Sequence, residues 1–369
     1  MDDTTAVDPR PTLTLQQATD MTTELYGVTV NEISTLSSYF DQNFLVVDKH
    51  GTKYILKIIN SEESKNTALL RVQTLAITFL QQHGLPVQTV VPTVTGELMR
   101  MKETDCGHGR RSYCVRLMSY LPGNTIAETQ LTTQDLYHVG KLIARMDKAL
   151  QQICLLEFKA YGNMESPNLS VLKNDDDIWS LSNTPLVEDY LSVMDGDPLQ
   201  EVIKVAIEQF KSYVRPKISS FREAIIHGDA NDRNIIVTPV ENGRHVVSGI
   251  LDFSLLMNGC YVYEVAITIM YLMLKNHSPL DVGGAILAGW ESVIQLNDAE
   301  RDCLFLLVVG RLCQSMVYGL YNAKKYPDNE KYILHTAKNG ARLLNKLWKL
   351  GKKEVESKWF TDASTYSDK

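Results

Sequence analysis

Residues 225–237 read IIHGDANDRNIIV and residues 250–254 read ILDFS. Together they set out the groups that phosphoryl transfer requires, in the order in which kinases carry them. An aspartate must orient the attacking hydroxyl, and an asparagine with a second aspartate must hold the metal that bridges the donor's phosphates. Here His227, Gly228 and Asp229 open a loop, Asn234 closes it, and Asp252 follows the next apolar run. The spacing assigns Asp229 as the base, and Asn234 and Asp252 as ligands of magnesium. β-Branched runs after Asn234 and before Asp252 predict two strands that present these groups at their ends. The competing reading is structural: Asp229 and Asn234 cap a turn and Asp252 starts one.

The chain has 369 residues, enough to bury a substantial core in one two-lobed domain or in two domains. Hydrophobic residues make up 44% and charged residues 22%, which is ordinary globular usage and excludes a disordered or fibrous chain. A net charge of −7 without a basic stripe argues against a nucleic-acid partner. The one dense basic patch, residues 346–353, is interleaved with Leu347, Trp348 and Leu350, as on the solvated face of a terminal helix. Six cysteines show neither a Cys-x-x-Cys pair nor zinc spacing, the pattern of free thiols in a reducing compartment. The beginning, MDDTTAVDPR, has neither the basic nor the apolar region of a secretory signal. The longest apolar segment, residues 261–274, contains Glu264 and falls short of the roughly 20 residues that a membrane span needs. A cytoplasmic protein without a membrane partner is expected.

Patterning along the chain changes character once. Residues 1–12 read as a flexible tail and residues 14–26 as a helix stopped by Gly27. Strands at 44–48 and 53–59 flank a turn at 49–51, a helix runs over 61–82 to Gly84 and Pro86, and strands at 97–102 and 112–118 flank a loop at 106–111. Beyond residue 120 the pattern is helical. Thr132 and Asp135 form a capping-box signature for a helix over 132–150, and further helices are predicted over 185–194, 198–221, 261–274, 282–294, 299–325 and 331–350. No internal repeat or low-complexity linker interrupts them. The order predicts an α+β, bilobal, protein-kinase-like fold. Residues 1–118 would form a β-rich nucleotide-binding lobe and residues 119–369 a mainly helical catalytic and substrate lobe, with the site between them.

On the nucleotide side, Lys57 ends the apolar run Tyr54-Ile55-Leu56, where a kinase needs an ammonium on the α- and β-phosphates. The usual partner of that lysine is a helix glutamate. The predicted helix offers Gln73 instead, so the partner is expected to be an amide, with Glu62 and Glu63 at the helix start as alternatives. Residues 37–43, which include Ser38 and Tyr39, stand where a glycine-rich phosphate loop is expected but carry no glycine. The purine of the nucleotide is expected to pair with backbone groups of residues 119–121, including Ser119 and Leu121.

The loop His-Gly-Asp-x-x-x-x-Asn and the Asp-Phe of the metal motif resemble those of the aminoglycoside phosphotransferase and choline kinase superfamily. Within it, SYFDQNF at 38–44, YILKI at 54–58, HGDANDRNI at 227–235, SGILDF at 248–253 and YEVAITIMY at 263–271 are similar to segments of the hydroxylysine kinase family. The likeness runs from about Leu13 to Phe360. It implies phosphorylation of the amino acid 5-hydroxy-L-lysine with GTP, or ATP, as donor and Mg2+ as cofactor, in amino-acid catabolism in the cytoplasm. Ser254 stands where the family more often has glycine, and Ala230 where it more often has leucine. Neither departure removes a reacting group.

A zwitterionic acceptor needs a cation for its carboxylate and acidic or carbonyl groups for its amines. Arg311, inside an apolar helix with Gln314 and Tyr318 on its face, reads either as a carboxylate clamp or as half of an internal salt bridge. Glu264 stands where phosphotransferases carry an acid that braces the catalytic loop, with contact to a substrate amine as the alternative. Asp232 faces solvent or a substrate cation. A protein kinase is disfavoured because helix resumes too soon after Asp252 for an activation segment. A silent binding module would have lost one of Lys57, Asp229, Asn234 and Asp252. Homoserine, methylthioribose, choline and aminoglycoside kinases remain the enzymatic alternatives.

Overall fold

The computed structural model describes residues 8–105, 109–155, 168–173, 176–334 and 337–366. The first seven residues of the expected tail and residues 106–108 of the expected loop lie outside them. Contacts divide the chain into two compact units, Met1–Leu121 with Phe158–Asn168, and Pro122–Glu157 with Leu169–Lys369.

The first unit is an antiparallel sheet with a helix on each face. Helix α1 (Leu15–Tyr26) starts at Thr14, whose hydroxyl accepts from Gln17 N while the Gln17 side chain accepts from Thr14 N, and it ends at Gly27 in the left-handed region. Such a cap is worth about 1 kcal/mol. Strands β1 (Val30–Leu36), β2 (Gln42–Asp48) and β3 (Lys53–Ile59) follow, then helix α2 (Thr67–Gln82) and strands β4 (Val90–Val91), β5 (Arg100–Asp105) and β6 (Arg110–Ser119). The sheet runs β1-β2-β3-β6-β4, with β5 also on β6.

Alternation along β3 and β6 assigns the two faces. Leu56, Ile58, Val115 and Leu117 pack with Ala18, Met21 and Leu25 of α1. Lys57, Ile59, Cys114 and Arg116 occupy the other face, where Ile59 and Cys114 meet Leu70 of α2. The hairpin predicted around residues 49–51 is present: Asp48 Oδ1 accepts from His50 N and Thr52 N, each at 2.8 Å. Helix α2 starts later than residue 61 because Asn66 caps it, accepting from Leu69 N at 3.0 Å. The polar edge strand β1 lacks the apolar alternation by which a strand is recognised, and the sequence did not predict it.

The second unit is helical around three short strand pairings. After β7 (Asn124–Thr125), helix α3 (Thr133–Leu150) carries the predicted capping box, with Thr132 N on Asp135 Oδ2 at 3.0 Å and Asp135 N on Thr132 Oγ1 at 3.1 Å. Residues 181–194 are not the predicted α-helix but a 3-10 run, with Pro185 inside it lacking the N–H that an α-helix would use. The helix expected over 198–221 is α4 (Leu199–Gln209), which passes into a π turn at Phe210–Val214 and a 3-10 turn at Arg215–Ser220. Pro216 sits at that change and would clash with an α-helical carbonyl four residues back.

Strands β8 (Glu223–Ile226), β9 (Ile235–Pro239), β10 (His245–Ile250) and β11 (Met257–Cys260) then pair as β10-β9-β7 and β11-β8. Helices α5 (Tyr261–Lys275), α6 (Pro279–Glu291), α7 (Asp298–Lys325), α8 (Glu330–Ile333) and α9 (Ala337–Thr365) complete the unit. The apolar stretch that matters most is α7, not residues 261–274. By length and composition α7 is able to cross a membrane, yet 94% of its most apolar window is buried inside the protein, as the core helix of the unit.

Candidate active site

The signature loop joins β8 to β9, and Asp252 follows β10. Pairing of β8 with β11, and of β9 with β10, therefore fixes both ends of the loop against the segment that carries Asp252. His227 is buried and links the two directly. Its Nδ1 accepts from Asp229 N at 3.2 Å, so Nε2 holds the proton and donates to Leu251 O at 2.9 Å. Burial holds this imidazole below its ordinary pKa, in keeping with a neutral ring. Gly228 has φ +77°, and a Cβ there would stand 2.4 Å from Leu255 O, so only glycine fits the turn.

Asp229 is oriented by three side chains. Its Oδ2 accepts from Asn231 Nδ2 at 2.8 Å and Asn234 Nδ2 at 3.0 Å, and its Oδ1 accepts from Arg311 Nη2 at 3.1 Å. The side chain is nevertheless 21% exposed. Burial of most of the group raises its pKa to about 6, with Arg311 opposing the rise and Asp252 adding to it. Asn231 was not singled out from the sequence. Its Oδ1 also accepts from Arg233 N and Asn234 N at 2.8 and 3.0 Å, an Asx turn for which its place two residues after Asp229 was the available signal.

Because Asn234 spends its amide nitrogen on Asp229 O and Oδ2, its amide oxygen is left for another partner. Asp252 adopts a left-handed backbone, φ 56°, unusual for a residue with a Cβ, and its Oδ1 accepts from Ser254 N at 3.3 Å. These are hard oxygen donors of the kind magnesium takes. Among the described residues no three His, Cys, Asp or Glu side chains converge as a self-sufficient metal cage. Magnesium in kinases takes the remaining ligands from phosphate and water.

Beneath the loop, Glu264 on α5 is fully buried and accepts from Gly228 N at 2.8 Å. Burial raises its pKa and that of Asp147 on α3, and the two acids repel each other. Glu264 thus faces the loop's backbone. Asp232 is also buried, near the charges of Lys275 and Arg233, which removes solvent as its partner.

Arg311 on α7 is 1% exposed and turns its guanidinium onto the loop. Nη1 donates to Trp179 O at 2.8 Å and Nη2 to Asp229 Oδ1, while the Trp179 and Tyr271 rings flank it with centroids 5.0 and 5.5 Å from Cζ. Of the two readings open to the sequence, this geometry is that of an internal ion pair. Gln314, three residues on, donates to Ile178 O and Ser180 O at 2.9 and 2.8 Å. Nothing in the sequence pointed to Trp179.

In the first unit, Lys57 Nζ lies 3.0 Å from Asp41 Oδ2. Gln73 Oε1 faces Arg116 Nη2 at 3.5 Å, and Arg116 also donates to Leu70 O at 2.6 Å. Glu62 and Glu63 are exposed, and Glu62 pairs with Lys65. Residues 37–41 join β1 to β2, with the Ser38 hydroxyl donating to Asp41 O and Tyr39 edge-on to Phe40 at 4.6 Å. Ser119 is engaged by its neighbours: its N donates to Thr89 O, its carbonyl accepts from Gln88 Nε2, and its hydroxyl accepts from Thr89 N. Leu121 ends the first of the unit's two segments.

The APH phosphotransferase enzyme family matches residues 32–296 of this sequence. The chain belongs to that family. A hydroxylysine kinase of Danio rerio is 46% identical over 359 residues, covering 97% of this chain and 98% of its own. A hydroxylysine kinase of Mus musculus is 40% identical over 368 residues, covering 97% and 95%. Among solved structures, an amicoumacin kinase in complex with AMP-PNP and Ca2+ superposes with a TM-score of 0.63 at 16% identity, covering 90% of this chain and 94% of its own. A microcompartment-associated aminopropanol kinase gives 0.61 at 16% identity, with 94% and 99% covered. These two share the fold. The protein is accordingly a small-molecule phosphotransferase, a kinase acting on a hydroxyl group, and its antiparallel sheet unit and helical unit are those of the α+β, kinase-like fold expected of it.

Proposed function

We propose that this phosphotransferase transfers the γ-phosphate of GTP to the side-chain hydroxyl of 5-hydroxy-L-lysine, with Mg2+ as cofactor, as a step of amino-acid catabolism. The acceptor is supported by the hydroxylysine kinases that match nearly the whole chain at 40–46% identity. The observation that carries the chemistry is the Asp229 carboxylate, fixed by Asn231, Asn234 and Arg311 yet open to a partner. A carboxylate so held accepts a hydrogen bond from the acceptor hydroxyl and takes its proton as the new O–P bond forms, while the bond from the γ-phosphorus to the β–γ bridging oxygen breaks and GDP leaves. Asp252 and the Asn234 amide oxygen would hold magnesium, which when bound neutralises phosphate charge. Lys57 supplies an ammonium to the phosphates, and the backbone of Leu121 meets the purine.

Arg311 in this reading is not the clamp for the acceptor's carboxylate. It positions Asp229 and favours its ionised form, since Nη1 donates to Trp179 O and Nη2 to Asp229 Oδ1 within the protein. A cytoplasmic setting fits the free, buried thiols of Cys114, Cys260, Cys303 and Cys313.

The test is a phosphorylation screen. The purified protein is offered 5-hydroxy-L-lysine, its decarboxylated analogue, homoserine, choline and aminopropanol, each with GTP and with ATP. We expect the highest kcat/KM for 5-hydroxy-L-lysine with GTP. No phosphate transfer to hydroxylysine from either nucleotide would overturn the acceptor. A preference for ATP would overturn the donor alone.

A further inference from the structure

We propose that Asp41 is the acid that orients Lys57 toward the donor's phosphates, in place of the helix glutamate that kinases use. The inference rests on Lys57 serving as the phosphate ammonium. Kinase catalysis needs that ammonium held by a carboxylate, because a flexible lysine stem otherwise spreads its charge over many rotamers. Helix α2, which packs on the Lys57 face of the sheet, contains no Asp or Glu anywhere in its length. Gln73, at the place where that acid is expected, is turned to Arg116. Arg116 is the cross-strand neighbour of Lys57 on the same face. An acid on α2 near this spot would meet two cations; the acid here comes from the hairpin instead.

Asp41 is built into that role from three sides. Its Oδ2 lies 3.0 Å from Lys57 Nζ, with side-chain exposures of 10% and 17% for the acid and the lysine. Its Oδ1 accepts from Asn60 N at 2.9 Å and Asn60 Nδ2 at 3.1 Å. Asn60 Oδ1 in turn accepts from Glu63 N at 3.0 Å, on the way into α2. Asp41 also receives the Ser38 hydroxyl on its carbonyl, which fixes the loop that delivers it. One carboxylate therefore joins the β1–β2 loop, the end of β3 and the entry to α2. A lone acid in a loop expected beside phosphates would repel them. Paired with Lys57 and two amide donors, its charge is answered within the protein.

The test is a double-mutant cycle on the full-length protein, reading kcat and KM for nucleotide and for acceptor, with melting temperatures as a check on folding. Asp41→Asn is nearly isosteric and retains an oxygen for Asn60, so it removes chiefly the charge. We expect it to lower kcat/KM for the nucleotide by at least ~10-fold, with the acceptor KM changed by less than about twofold. In the Lys57→Ala background the same change should cost less than about twofold, because its effect passes through Lys57. Asp41→Glu, which keeps the charge, should retain more activity than Asp41→Asn and serves as the second variant if Asp41→Asn does not fold. Full activity of Asp41→Asn beside a crippled Lys57→Ala overturns the proposal and leaves the kinase reading intact, as do additive effects in the cycle. Equal losses in Asp41→Glu and Asp41→Asn also overturn it. An unimpaired Lys57→Ala would bring down both the proposal and the assignment of Lys57 to phosphate.

Discussion

Asp229→Asn should lower kcat by at least ~10²-fold, and by as much as ~10⁴-fold, while leaving nucleotide affinity within about threefold of wild type. The substitution keeps the size of the side chain but removes the charge that, in the proposed reaction, receives the hydroxyl proton. It also disturbs the arrangement that aims the group. Asp229 accepts from Asn231, Asn234 and Arg311, and an amide nitrogen facing any of these meets another donor. Steady-state rates paired with a nucleotide-binding titration measure both quantities. Turnover close to wild type would remove Asp229 from the mechanism.

Arg311→Met should cut kcat by at least ~10-fold and move the acid limb of the pH–rate profile to higher pH by about one unit or more. The sign follows from the charges around Asp229. In the proposed reaction the working form is the ionised carboxylate, whose pKa burial and Asp252 push up to about 6 against the opposing pull of the Arg311 guanidinium. Wild-type activity should therefore fall as pH drops through about 6. Without the guanidinium the carboxylate protonates at higher pH, and part of the lost activity should return in alkaline buffer. Arg311→Lys should lie between the two, because one ammonium cannot reproduce the fork that reaches Trp179 O and Asp229 together. Profiles of kcat and acceptor KM from pH 5 to 9 separate the readings. A clamp on the acceptor's carboxylate would raise acceptor KM and leave the acid limb unmoved.

Local chemistry made much of this legible in the sequence. The Thr132–Asp135 box, the stop at Gly27 and the turn at 49–51 use contacts within a few residues, and they stand as predicted. The loop from His227 to Asn234 and the strand before Asp252 could be read for the same reason. Residues 181–194 and 210–220 could not, because apolar periodicity survives where Pro185 and Pro216 have already broken the α-helical ladder. Partners distant in sequence were the other gap. Trp179 meets Arg311 from 132 positions away, and Asp41 meets Lys57 only because β2 and β3 are neighbours in the sheet. Periodicity says which face a side chain takes, not what waits there.

The loop that carries Asp229 is referenced to the interior of its unit. His227 and Glu264 are fully buried, and Arg311 reaches the loop from the core helix α7. Each tie would have to break for the loop to open by itself, and each ends in a side chain that the core encloses. Most active-site loops belong to the least stable part of a protein and come loose well below the melting point. This one should open only with cooperative unfolding, so on heating the geometry around Asp229 should persist until the hydrophobic interior gives way. A core substitution in α7 that leaves the protein folded would reach the chemistry through Arg311, appearing as slower turnover before it appears as lost protein.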